Sequence, residues 1–124
     1  MIRGIRGATT ITADQEEFVL AATQRLLEEM IEKNKVDPES VASVFISVTP
    51  DISSAFPAKA IRRFKHWRHV PVMCMQEIPV DESLPFCVRV MMHVNTVKPQ
   101  KEIHHVYQEK AIKLRPDLTM EDKS

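Results

Sequence analysis

Glycine is almost absent from this chain of 124 residues, and that absence limits the possible folds more than any other feature. The two glycines, Gly4 and Gly7, both lie within the first ten residues. Loops that hold phosphate groups with backbone N–H groups need several glycines at close spacing. The sequence therefore excludes the standard mononucleotide and dinucleotide loops. It favours a mixed sheet over the doubly wound parallel sheet that carries a dinucleotide fingerprint.

The length predicts a single domain over residues 1–124 with one hydrophobic core. A deep enclosed cavity would compete with that core, so a small ligand is expected in a cleft between subunits. The balance of 17 basic against 17 acidic residues argues against a nucleic-acid-binding or membrane-surface protein. No stretch is apolar enough to span a membrane, and the N-terminus lacks the pattern of a signal peptide. The two cysteines are too few for a disulfide framework, which suits a cytoplasmic protein.

Hydrophobic periodicity predicts an α+β domain in which a mixed five-stranded sheet packs against two main helices. The predicted strands cover residues 2–10, 41–48, 70–78, 87–96 and 113–115, and the predicted helices cover 15–34, 57–66 and 99–109. Asp14 and Glu17 have the spacing of a capping box at the start of the first helix. The polar tail from about residue 116 to 124 is expected to be mobile.

Three charged side chains interrupt predicted strands and are therefore the main candidates for a site. Arg89 lies in the strand with the clearest alternation, Arg6 lies between the two glycines, and Glu77 ends an apolar strand. A charged group in such a place needs a partner of opposite charge, either in the protein or in a ligand. Pairing of Glu77 with Arg6 or Arg89 would satisfy these groups without any function, so both explanations stay open.

The remaining polar candidates have simpler explanations. Cations are favoured at a helix C-terminus, so the basic stretch 62–68 is a weak indication of nucleic-acid binding. The histidines match no zinc-site spacing, so no metal is expected. Cys74 and Tyr107 are expected to pack in the core, the tyrosine on the third predicted helix. Because no nucleophile or general base stands out, the site suits a small dianion that is held or strained rather than attacked.

Eight separate segments, in register over nearly the whole chain, resemble the AroH-class chorismate mutases. They are IRGIRGATT (2–10), TPD (49–51), FPAKA (56–60), VPV (70–72), CMQE (74–77), RVMM (89–92), HVY (105–107) and LRPDL (114–118). The resemblance implies a homotrimer that forms a pseudo-α/β barrel, with three active sites in the clefts between neighbouring subunits. It also implies the rearrangement of chorismate to prephenate, a step of phenylalanine and tyrosine biosynthesis.

The implied reaction is a unimolecular Claisen rearrangement, which needs no cofactor, metal, proton transfer or covalent intermediate. Negative charge grows on the ether oxygen because the C–O bond breaks ahead of C–C bond formation. By resemblance, Arg89 stabilises that oxygen, while Arg6 binds a carboxylate and contacts the ether bridge. Tyr107 binds a carboxylate, and Glu77 accepts a hydrogen bond from the ring hydroxyl.

The resemblance also assigns the rest of the pocket. Cys74 contacts the hydroxyl side of the substrate. The expected pocket wall, which selects the compact conformer, consists of Phe56, Ala58, Met73 and Leu114, and the expected mouth consists of Lys59, Arg62 and Arg115. Simple alternation places Cys74 and Glu77 on opposite faces of one strand, so a bulge or strand end is needed if both reach one ligand.

Two alternatives to a mutase stay open at this point. One is a deaminase of a similar trimeric fold, whose arginine would bind a carboxylate. The other is a non-catalytic trimer that binds a small carboxylate ligand, although simple anion capture gives no reason for Glu77 beside Arg89.

Overall fold

A mixed sheet of five strands and one long helix organise residues 1–114, the part of the chain that the computed structural model describes. The strands are β1 (Ile2–Thr10), β2 (Val41–Val48), β3 (Val72–Gln76), β4 (Cys87–Asn95) and β5 (Val106–Tyr107), and the helix α1 is Glu16–Asn34. Four 3₁₀ helices, Pro38–Ser40, Pro57–Arg63, Gln100–Glu102 and Glu109–Leu114, connect or follow them. Arg115 and the predicted mobile tail lie outside the described residues.

The sheet has the order β3-β2-β4-β1-β5, which confirms the predicted mixed sheet. The central strand β4 is antiparallel to β1 and β2, whereas β3 is parallel to β2 and β5 is parallel to β1. The strand predicted for 87–96 matches β4 closely because its apolar side chains alternate without interruption. Paired residues share a face of the sheet, so this register decides which side chains can meet.

One face of the sheet packs against α1 and forms the hydrophobic core. Ile5 and Met92, which face each other across β1 and β4, are both fully buried there. Gly7 lies where the helix comes closest, since a Cβ atom at this position would lie 2.4 Å from Sδ of Met30. Gly7 thus permits close helix–sheet packing. The opposite face carries the half-buried residues Arg6 and Arg89.

Two predictions for the C-terminal third are wrong. The segment predicted as a helix over 99–109 instead holds a single 3₁₀ turn and then β5, which pairs Val106 and Tyr107 with Gly7 and Ala8 of β1. The predicted strand 113–115 is also wrong, because Glu109–Leu114 is a 3₁₀ helix. The backbone groups at the edge of β1 are satisfied by pairing with β5, and a two-residue pairing shows no periodicity in the sequence.

The helix ends differ in part from the prediction. The segment predicted as a helix over 57–66 is a 3₁₀ helix that ends at Arg63. At the start of α1 the predicted capping box does not form, because the N-cap residue is Gln15 and makes no side-chain cap. At its C-terminus Lys35 adopts a left-handed conformation with φ of 50°. Its N–H donates to Glu32 and that of Val36 donates to Ile31, which is a Schellman motif.

Candidate active site

Arg89 and Glu77 meet on the face of the sheet opposite α1. Nε of Arg89 lies 3.3 Å from Oε1 of Glu77, so one of the two pairings open in the sequence forms. Glu77 follows the last residue of β3, and its backbone N–H donates to the carbonyl of Val48 at 2.8 Å. The hydroxyl of Ser47 donates to the same Oε1 at 2.5 Å. Ser47 pairs with Arg89 across β2 and β4, which brings all three side chains together.

These side chains line an open cleft of about 320 Å³, together with Arg6, Tyr107 and Leu114. Ala8 pairs with both Arg89 and Tyr107, and this places the arginine and the tyrosine on one face of the sheet. Tyr107 therefore reaches the cleft from β5 rather than packing on a helix. Within residues 1–114, Arg6 has no ion-pair partner.

Two buried donor atoms of this cleft lack a hydrogen-bond partner within the described part of the chain. They are Nε of Arg89, whose contact with Glu77 lacks hydrogen-bond geometry, and the hydroxyl of Tyr107. Buried polar groups are nearly always hydrogen-bonded, so each unpaired group calls for an explanation. An anionic ligand with oxygen acceptors would satisfy both atoms. The cleft therefore has the chemistry of a small carboxylate site.

The other predicted residues line a second, larger cleft of about 880 Å³. Its lining includes Phe56, Ala58, Lys59, Arg62, Met73 and Cys74. Phe56 is 70% exposed and Met73 is 59% exposed, so both present apolar surface in this cleft. The structure thus divides the predicted residues between two clefts of one chain.

Cys74 and Glu77 belong to different clefts because they point to opposite faces of the sheet. The β2–β3 register runs without a shift from Val44–Val72 to Val48–Gln76, so no bulge turns Cys74 towards Glu77. Burial raises the pKa of the Cys74 thiol, which keeps it protonated at neutral pH and argues against a nucleophilic role. Within the described residues, the two side chains therefore line different clefts.

Positive charge is concentrated beside the second cleft. Residues 52–76 contain no aspartate or glutamate, and they contain five lysine or arginine residues although the whole chain has no net charge. All five of these side chains are exposed: Lys59, Arg62, Arg63, Lys65 and Arg68. Such a one-sided surface attracts a dianionic ligand.

The structure offers no sign of a metal site or a membrane span in the part it describes. Residues 1–114 contain no group of three or more His, Cys, Asp or Glu side chains that could hold a metal ion. None of the helices in this range is long and apolar enough to cross a membrane.

Ser47 was not among the site residues predicted from the sequence. A serine that alternates with apolar residues in a strand is ordinary, and nothing local marks it as different from Ser43. Only its register opposite Arg89 shows that its hydroxyl reaches Glu77.

Comparison with known proteins gives consistent results. The family model described as chorismate mutase type I matches residues 2–118. The chorismate mutase AroH of Bacillus subtilis (strain 168) is 53% identical over 120 residues, which cover 97% of this chain and 94% of that protein. The AroH protein of Thermus thermophilus is 45% identical over 119 residues, covering 95% of this chain and 97% of that protein. A solved structure of a chorismate mutase from Clostridium thermocellum has a TM-score of 0.85 and 47% identity, covering 88% of this chain and 96% of that chain.

Proposed function

We propose that the cleft with Arg6, Glu77 and Arg89 is the active site of this chain, which belongs to the type I chorismate mutase family. The enzyme is an isomerase that converts chorismate to prephenate in aromatic amino-acid biosynthesis. The observation that carries this assignment is the pair of buried donors, Arg89 Nε and the Tyr107 hydroxyl, that lack hydrogen-bond partners within residues 1–114. Membership of this family favours a mutase over the deaminase and the non-catalytic carboxylate-binding trimer.

Arg89 acts on the transition state. In the rearrangement the C–O bond breaks ahead of C–C bond formation, so negative charge develops on the ether oxygen. A fixed guanidinium donor at that oxygen stabilises the charge more than it stabilises the ground state. The reaction is unimolecular, so it needs no nucleophile, no proton transfer and no cofactor.

The other residues of the cleft hold the substrate in its compact conformation. Arg6 and Tyr107 bind the carboxylates, and Glu77 accepts a hydrogen bond from the ring hydroxyl. Leu114 closes the apolar side of the cleft. A free molecule would lose entropy on reaching this conformation. In the cleft this entropy is lost during binding, so it no longer adds to the barrier of the reaction.

The second wall of each site comes from another copy of the chain in a homotrimer. The neighbour's larger cleft brings Cys74 to the hydroxyl side of the substrate, Phe56, Ala58 and Met73 to the apolar wall, and Lys59 and Arg62 to the mouth. This arrangement is supported by the separation of Cys74 from Glu77 within one chain and by the exposure of Phe56 and Met73. Three such subunits would close the pseudo-α/β barrel.

We also place the enzyme in the cytoplasm. Cys74 and Cys87 are both free thiols, as expected in a reducing compartment.

The assignment is tested by following the ultraviolet absorbance of chorismate with purified protein in the absence of metal and cofactor. We expect Arg89→Ala to lower kcat by about 10²–10³, the usual effect of losing one transition-state donor. Arg25→Ala, at an exposed position of α1, makes the same chemical change away from the cleft and should keep full activity. Full activity of Arg89→Ala would refute the proposed site.

A further inference from the structure

We propose that Ser47 is a positioning residue for the rearrangement, because its hydroxyl fixes the Glu77 carboxylate and so keeps Arg89 available to the substrate. The inference rests on the proposed active site and adds a residue that does not touch the substrate itself. Ser47 lies near the C-terminal end of β2, paired with β4 on one side and β3 on the other, so its position is fixed by two neighbouring strands.

The hydrogen bond occupies one particular oxygen of the carboxylate. Ser47 Oγ donates to Oε1 of Glu77 at 2.5 Å, and the same Oε1 lies 3.3 Å from Nε of Arg89. Among residues 1–114, neither a hydrogen bond nor an ion pair engages Oε2. The carboxylate is therefore held by one oxygen, and its other oxygen is left for the ring hydroxyl of the substrate.

Glu77 needs such a restraint because of where it lies. It follows the end of β3, and its backbone is tied to β2 through a single hydrogen bond to Val48. Its side chain is 23% exposed, so packing does not enclose the carboxylate completely. The Ser47 hydroxyl supplies the contact that packing does not.

The restraint also affects Arg89. A carboxylate and a guanidinium prefer a bidentate pair with two parallel hydrogen bonds. A freely rotating Glu77 would form that pair with Arg89 and occupy the donors that the substrate needs. With Oε1 held by Ser47, its contact with Nε lacks hydrogen-bond geometry, so the guanidinium donors stay available to the substrate. Loss of the hydroxyl should therefore lower kcat more than it raises KM.

The first test compares three variants by steady-state kinetics with chorismate. Ser47→Ala should lower kcat by about 10-fold or more, as expected for a hydrogen bond to a charged group, while changing KM less. Ser47→Thr keeps the hydroxyl on a strand-compatible residue and should restore most of the activity. Ser43→Ala is the matched control, since Ser43 lies on the same face of β2 and its hydroxyl contacts His93 instead, at 3.2 Å. This control should retain wild-type kcat.

A double variant separates positioning from a general structural effect. In the Glu77→Ala background the Ser47 hydroxyl has no carboxylate to hold, so adding Ser47→Ala should change kcat less than twofold. Equal losses in both backgrounds, or no rescue by Ser47→Thr, would overturn the proposal. If Glu77→Ala lowers activity but Ser47→Ala does not, the positioning role alone fails. If Glu77→Ala and Arg89→Ala both keep full activity, the proposed active site fails as well.

Discussion

A mixture of two inactive variants should regain activity if each active site is built from two chains. The first variant is Arg89→Ala, which removes the proposed catalytic cation from the smaller cleft. The second variant combines Lys59→Ala with Arg62→Glu, which changes only the larger cleft. Both side chains of the second variant are exposed, so neither change removes a core contact.

The expected loss in each variant follows from charge. Arg89→Ala should be about 10²–10³ slower than the wild type. For charges about 4 Å from a substrate carboxylate in a water-like medium, each attraction is about 1 kcal/mol. Reversing one charge and removing another then costs about 3 kcal/mol, which lowers kcat/KM by about 100-fold.

Random assembly of equal amounts of the two variants sets the recovered activity. Each cleft is intact in half of the chains, so about a quarter of the sites combine two intact clefts when the clefts come from neighbouring subunits. The variants are unfolded together, refolded as a mixture and assayed with chorismate against the separately refolded parents. We expect about a quarter of the wild-type activity with a wild-type KM.

The activities of the two parent variants define the outcome that would contradict this prediction. If both walls of a site belonged to one chain, every site in the mixture would carry one defect, and the activity would equal the mean of the two parents. That outcome would refute the proposed trimeric site, provided that the refolded mixture has the mass of the wild-type assembly.

Two further predictions concern stability. Lys35→Gly should raise the unfolding free energy by about 0.5–1 kcal/mol over Lys35→Ala, because glycine avoids the left-handed strain of φ 50° but has more backbone entropy to lose. This corresponds to about 2–4 °C in Tm at fixed protein concentration, and an equal or higher Tm for Lys35→Ala would contradict it. Hydrogen bonds from Ser54 and Ser53 lower the pKa of Asp14 below its usual 3.8. The ionised Asp14 therefore stabilises the fold above pH 3.8, and this stabilisation is lost as the pH falls through the lower pKa of the folded state. The Tm of Asp14→Ala should therefore depend less steeply on pH below about pH 4 than the wild-type Tm, and parallel curves would refute this linkage.

The sequence was informative where a residue's surroundings repeat along the chain. Alternation in 87–96 indicates β4 because every second side chain enters the same core. It fails for β5, since two residues that pair only with the edge of β1 carry no repeating pattern of their own. The capping prediction failed for a similar reason, because the carboxylate of Asp14 is engaged by the backbone of residues 53 and 54, which are remote in sequence.

The candidate site shows the same division. Arg6, Glu77 and Arg89 were recognised because a charge within an apolar strand is anomalous wherever its partner lies. Their convergence in one cleft depends on strand register, as does the contribution of Ser47. The separation of Cys74 from Glu77 was visible in simple alternation, and the unshifted β2–β3 register keeps them on opposite faces.

The place of β3 at the edge of the sheet has a consequence for aggregation of the chain. One side of Val72–Gln76 pairs with β2, and in residues 1–114 the other side has no strand beside it. Met73 and Met75 are exposed on this strand, so it resembles the segments from which aggregation begins. Pro71 and Pro79 flank the strand and cannot donate to an added one. They limit the length of exposed backbone to which another chain could add a strand.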